Sequence, residues 1–227
     1  MTRRFRKSLL AAIAGLLLLL AMALAAGGAV AYRARQEQQS VAAIEKLGGS
    51  VYYHHQVDGH IFDESAEPPG PAWLRRYFGE NCLAKVHTVW LQHWDVPAWK
   101  HRPVTDADLA VLDSLSSLQR IMLDDSQVTD AGLKRLQRHQ LKELHLNRLA
   151  ITDTGIERVT EIESLVSLNL GGTQVTDRSL DRLRNLPNLQ WVWAGSTKIT
   201  PEAIERFNRE RGAVVVHDGK GAFIPPP

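Results

Sequence analysis

Leu165-Val-Ser-Leu168-Asn-Leu170-Gly-Gly-Thr-Gln-Val175-Thr176-Asp177-Arg-Ser-Leu180-Asp-Arg-Leu183 is the stretch that decides the fold of this chain. Leu168 and Leu170 alternate with polar residues, the two-residue period of a strand. Leu180 and Leu183 stand three apart behind a Thr-Asp pair, which is how a capped helix begins. A strand, a turn and a helix within about two dozen residues is the size of one stacking repeat unit.

The same pattern recurs on both sides. Strand motifs start at Val86, Leu118, Leu141, Leu165 and Leu189, spaced 32, 23, 24 and 24 residues apart. Thr129, Thr152, Thr176 and Thr200 each follow eleven residues after a start, whereas Thr105 follows nineteen after Val86. The first copy therefore carries an eight-residue insertion within Gln92 to Pro103, which includes His93, Trp94, Trp99 and His101. Asp106, Asp130, Asp153 and Asp177 come directly after the Thr in four copies; Pro201 takes that place in the fifth. Asp and Pro both suit the first helical position, so the Thr is the expected N-cap and the Asp is expected to complement the helix dipole. Leu109/Leu112, Leu133/Leu136, Ile156/Val159, Leu180/Leu183 and Ile204/Phe207 are the expected buried helix pairs. Ala213-Val-Val-Val216-His reads as a closing strand, and 219–227, ending in three prolines, as a loose tail.

The units L-x-x-L-x-L-x-x-T-x-V-T-D-x-x-L-x-x-L resemble leucine-rich repeats of the short, helix-containing type over about residues 83–218. The layout as a whole is similar to membrane-anchored bacterial leucine-rich-repeat proteins. The resemblance implies an α/β leucine-rich-repeat solenoid, a horseshoe fragment with parallel strands on a concave, ligand-binding face and helices on the convex face. It implies no catalytic residue. A ubiquitin-ligase adaptor role, found with some helical repeats of this kind, is opposed by the anchor and by the lack of an F-box-like helix pair.

Upstream, Arg3, Arg4, Arg6 and Lys7 precede Ser8 to Tyr32, 25 residues without charge. At about 1.5 Å per residue this run exceeds a ~30 Å hydrocarbon core. The expected organisation is a basic cytoplasmic N-terminus (1–7), a transmembrane signal anchor (8–32), a juxtamembrane helix and N-terminal cap (33–82), the repeats (83–218) and the tail (219–227). The positive flank predicts the N-terminus inside and the repeats outside the cytoplasmic membrane. Secretion after cleavage near Ala21 to Ala26 is the alternative. Within the cap, Val41, Ile44 and Leu47 share a helix face that ends at Gly48-Gly49. Val51 to Val57 reads as a strand closed by Asp58-Gly59, and Pro71 is placed to start a helix over 72–78.

The net charge of +2 favours no class of partner, and no basic stripe points to nucleic acid. The single cysteine, Cys82, excludes an intramolecular disulfide and a thiolate zinc set, and reads as a small apolar residue at a helix-to-strand junction. Neighbours of the buried strand leucines point away from the core. They predict a ligand-binding concave face of Trp90, Arg120, Met122, Asp124, Glu143, His145, Asn147, Asn169, Trp191 and Trp193. Large aromatics and Met on such a face suit a protein or peptide partner. The opposing possibility is that Trp191 and Trp193 pack under the tail, and Trp90 and Trp94 under the insertion. Non-enzymatic recognition of a protein or peptide, with the bilayer as second partner through 8–32 and no cofactor, is the expected function. A structural or self-association module of the cell envelope is the first alternative. The second is a metal-dependent enzyme using His54 to Glu64, opposed by the lack of an H-E-x-x-H helix and by His54 and His55 falling on opposite faces of the expected strand.

Overall fold

The computed structural model describes residues 3–59, 61–79, 81, 83–91, 103–211 and 214–216. Side chains at 3–19, 23, 24, 26, 74, 77, 78 and 214–216 lie outside that description. The repeats form a mixed α/β layer with a leucine-rich-repeat-like fold. Strands β4 (Val86–Trp90), β5 (Arg120–Met122), β6 (Glu143–His145), β7 (Ser167–Asn169), β8 (Trp191–Trp193) and β9 (Val214–Val216) pair in parallel, each with the next. Their register aligns the middle residues Val89, Ile121, Leu144, Leu168 and Val192, all 0–1% exposed. Val192 also pairs with Val215, so the closing strand belongs to the same sheet.

Behind the sheet run two 3₁₀ segments, Asp108–Leu112 and Gly132–Arg138, then α3 (Asp153–Val159), α4 (Asp177–Leu183) and α5 (Pro201–Arg211). The expected pairs from Leu109/Leu112 to Ile204/Phe207 are all buried in one continuous core. A buried Leu contributes roughly 1.5–3 kcal/mol, so stacking is driven by these columns.

One interaction repeats along the helix-side edge. The Asp130 carboxylate accepts from Thr152 N (2.9 Å) and Thr152 Oγ1 (2.5 Å) of the next unit. Asp106 does the same to Thr129, Asp153 to Thr176 and Asp177 to Thr200. The Asp thus clamps the following repeat, beyond the dipole role expected of it. Pro201 can replace it in the last copy because no further Thr follows. Space around each carboxylate is tight: a Cβ at Gly132 or Gly155 would stand 2.3 Å from an oxygen of Asp106 or Asp130. Ser179, in the same column, instead donates to Asp153 (2.5 Å). Thr129, Thr152, Thr176 and Thr200 also cap, each accepting from a backbone N–H two or three residues on. Thr105 departs from the expected N-cap. With no preceding unit, its N–H and hydroxyl donate to Asp108 of its own repeat, both at 2.8 Å.

The N-terminal end of the stack is closed by other elements. Helix α1 runs unbroken from Arg3 to Lys46, so the expected anchor and juxtamembrane segments are one helix. Val41 and Ile44 enter the core, and Glu37 accepts from Val86 N at 2.8 Å. Gly48, at φ +80°, ends the helix, and a Cβ at Gly49 would meet Trp90 O at 2.6 Å. Strand β1 (Ser50–Tyr53) then pairs antiparallel with β4. The expected strand Val51–Val57 is shorter than its composition suggests. Tyr53 lies opposite Val86, where β4 begins, and Gln56 Oε1 accepts from Tyr53 N (3.1 Å), turning His54–Gln56 into a 3₁₀ turn. The chain continues as a hairpin, β2 (Val57–Asp58) with β3 (Ile61–Phe62), and later α2 (Ala72–Phe78) follows Pro71 as expected. Among the described residues, no helix is long and apolar enough to cross a membrane. Cys82, most of the insertion (92–102) and the tail lie outside the described residues.

Candidate recognition face

The sheet register brings the expected face residues together in columns. Trp90, Met122, His145, Asn169 and Trp193 are aligned neighbours across five strands, as are Thr88, Arg120, Glu143, Ser167 and Trp191. Asp124 and Asn147 follow in the turns. The columns are not uniformly accessible. Arg120, Asp124, Glu143 and His145 are buried to 4–7% exposure, whereas Trp90, Met122, Asn147, Asn169, Trp191 and Trp193 are half-buried.

The four buried groups form one ionic chain. Arg120 Nε pairs with Glu143 Oε2 on the adjacent strand. Glu143 Oε1 lies 2.8 Å from His145 Nε2, and Asp124 Oδ2 lies 3.9 Å from His145 Nδ1. Asp124 Oδ1 accepts from Asn147 N at 2.8 Å. Burial pushes the Asp124 carboxyl above its ordinary range, partly offset by His145, the Asn147 N–H and Arg148. Buried charges persist only when paired and hydrogen-bonded, so removing any member strands the others.

The β2–β3 hairpin covers this chain. Arg120 Nη2 donates to Gly59 O (3.1 Å), and its guanidinium stands 5.6 Å from the Phe62 ring centre. Phe62 packs on Tyr52 (4.6 Å) and Trp90 (5.3 Å), and Tyr52 packs on Trp90 (5.0 Å). Trp90 is thus held under the cap's own aromatics. Neither Trp90 Nε1 nor Trp191 Nε1, both buried, has a hydrogen-bond partner among the described residues. The hairpin's part was missed from sequence because nothing in it repeats. The Arg120–Glu143 pair was legible, since opposite charges share a column in consecutive repeats.

His54 and His55 sit in the 3₁₀ turn, which corrects their expected placement on opposite faces of a strand. His54 approaches His87 edge-on at 4.7 Å and lies 3.2 Å, through Nε2, from Ser117 O. His55 stacks on Tyr53. His87 is pushed down to about 4, first by burial, then by His54, Arg120 and Lys142, against the weaker opposite pull of Glu143. Among the described residues, no three His, Cys, Asp or Glu side chains gather as a metal-ligand set. His60 lies outside them.

No family model matches this chain, and no curated protein is similar to it. Among solved structures, an internalin from Listeria monocytogenes str. 4b F2365 is similar over 40% of this chain, at 27% identity and a TM-score of 0.35. The match spans 26% of the internalin's length, about a quarter of that protein.

Proposed function

We propose that the chain is a leucine-rich-repeat solenoid that recognises a protein or peptide without chemistry, held at the outer side of a cytoplasmic membrane by residues 8–32. The carrying observation is the outward column. Trp90, Met122, His145, Asn169 and Trp193 stand in strict register yet vary in chemistry from strand to strand, while the inward middle column is aliphatic throughout. Stacking selects the inward residues and leaves the outward ones to another requirement. A sheet of fixed register presents them preorganised, which lowers the ordering cost of binding. With the cap hairpin over Arg120 and Trp90, the contact surface centres on Met122, Asn147, Asn169 and Trp191. Anchoring is supported by the uncharged run 8–32 and by Leu20, Met22, Val30 and Tyr32 of α1, all exposed. Exposed apolar side chains along a continuous helix suit a lipid surround.

The test is a photoreactive residue at Asn169, with one at Arg178 on the helix side as control, in cells expressing the full chain. The reading expects a discrete adduct from Asn169 and none from Arg178. Equal labelling from both, or none from Asn169, overturns it, and adducts made only with a second copy favour self-association. Protease added to intact spheroplasts is expected to digest the repeats; protection contradicts the orientation.

A further inference from the structure

A second concavity lies away from the sheet face, where the chain enters strands β4 and β5. It is an open cleft of about 570 Å³, within the range of small-molecule sites. Its polar wall consists of His54, His55, Lys85, Ser116, Ser117 and Gln140, over a floor that includes Leu83 and Leu118. No acidic residue is among its described lining residues. With Gln119, which also lines the cleft, the wall offers one ammonium, two imidazoles, two hydroxyls and two amides, a set able to donate many hydrogen bonds. Both ring nitrogens of His55 are buried without a hydrogen-bond partner among the described residues, an unmet demand at the cleft's edge. Beside the cleft, burial first and then Arg120 and Lys142 among its neighbours hold the His87 ring toward its neutral form, against Glu143. Glu37, a described acidic neighbour of Lys85, has its carboxylate engaged by Val86 N.

We propose that this cleft binds a small hydroxylated anion, a sugar phosphate or sugar acid, with Lys85 and His54 toward the charge and Ser116, Ser117 and Gln140 toward the hydroxyls. An anion placed here favours the protonated form of each nearby imidazole, so binding raises the His87 pKa.

The full chain in detergent micelles, with ¹⁵N-labelled histidine, is titrated with glucose 6-phosphate, glucuronate, glucose and sodium chloride at matched ionic strength. Saturable shifts of the His54, His55 and His87 ring signals are expected with one or both anions and not with glucose or chloride. A response to only one anion identifies the acidic group. Lys85→Gln is expected to weaken binding about tenfold, the value of one charge-assisted hydrogen bond. Gln140→Ala, an exposed position outside the ionic chain, is expected to weaken it less. The proposal is overturned if no titrant saturates, if glucose or chloride shifts the rings as the anions do, or if Lys85→Gln binds like the parent chain.

Discussion

The helix-side edge and the outward sheet face are built from the same five repeats, yet they obey different rules. Along the edge, Asp106, Asp130, Asp153 and Asp177 make one interaction four times, each holding the Thr of the following unit. The column ends at Pro201, and 24 residues after Thr200 the sequence has Ile224 in place of a Thr. Across the face, Arg120, Glu143, His145 and Asp124 form a chain that occurs once, beneath a hairpin that occurs once. What repeats is what stacks the units; what does not repeat is the ionic chain and the hairpin that covers it.

Breaking what both regions depend on should have the largest effect. Leu168 is 1% exposed in the middle column, so Leu168→Asp places a carboxylate in the core and should cost about 4 kcal/mol or more. Guanidinium denaturation checks this; a stable variant would mean the register is displaced by one residue. On the face, Glu143→Ala strands Arg120 and His145 and is expected to cost about 3 kcal/mol in the same assay. A loss under half of that would show the ionic chain to be open to water.

The edge should yield smaller, graded losses. Asp153→Ala removes the acceptor of Thr176 N, Thr176 Oγ1 and Ser179 Oγ, for about 1–2 kcal/mol. Pro201→Asp, which restores the consensus where no partner follows, should stay within about 0.5 kcal/mol of the parent. Equal effects at the two positions would remove the clamp from the explanation and leave only the helix dipole.

A further expected effect is a slope with pH. His87 titrates at about 4 when folded, against an ordinary 6.5, because of burial and of His54, Arg120 and Lys142, with Glu143 opposing. The unfolded chain therefore takes up the proton first as pH falls. The contribution of His87 is complete above pH 6.5 and is lost between 6.5 and about 4. Melting temperatures across that window should fall less steeply for His87→Gln than for the parent chain.

The repeating half of this architecture was legible in the sequence because periodicity records stacking. Leu168 and its equivalents gave the register, and Leu180/Leu183 and its equivalents gave the helix face. The role of Asp153 was only half legible. Its position beside Thr152 showed a helix start, but its contact with Thr176, 23 residues ahead, leaves no mark within one unit. Pro201 at the end of the column was the clue. The cap was misread at Val51–Val57 because β-branched and aromatic residues signal a strand without saying where its partner ends. Here β4 ends the pairing at Val86. On the face, the register named Arg120, Glu143 and His145, but nothing in a column shows that Gly59 and Phe62 fold over them from 27 and 24 residues upstream of β4.

That cover is the central claim, since it decides which part of the face a partner can reach. A double-mutant cycle on the full chain, Phe62→Leu with Trp90→Leu, tests it directly. Packed rings 5.3 Å apart should couple by about 0.5–1.5 kcal/mol beyond the sum of the single losses. Additivity within about 0.3 kcal/mol would mean that the hairpin does not hold Trp90, and that the whole column from Trp90 to Trp193 is open to a partner.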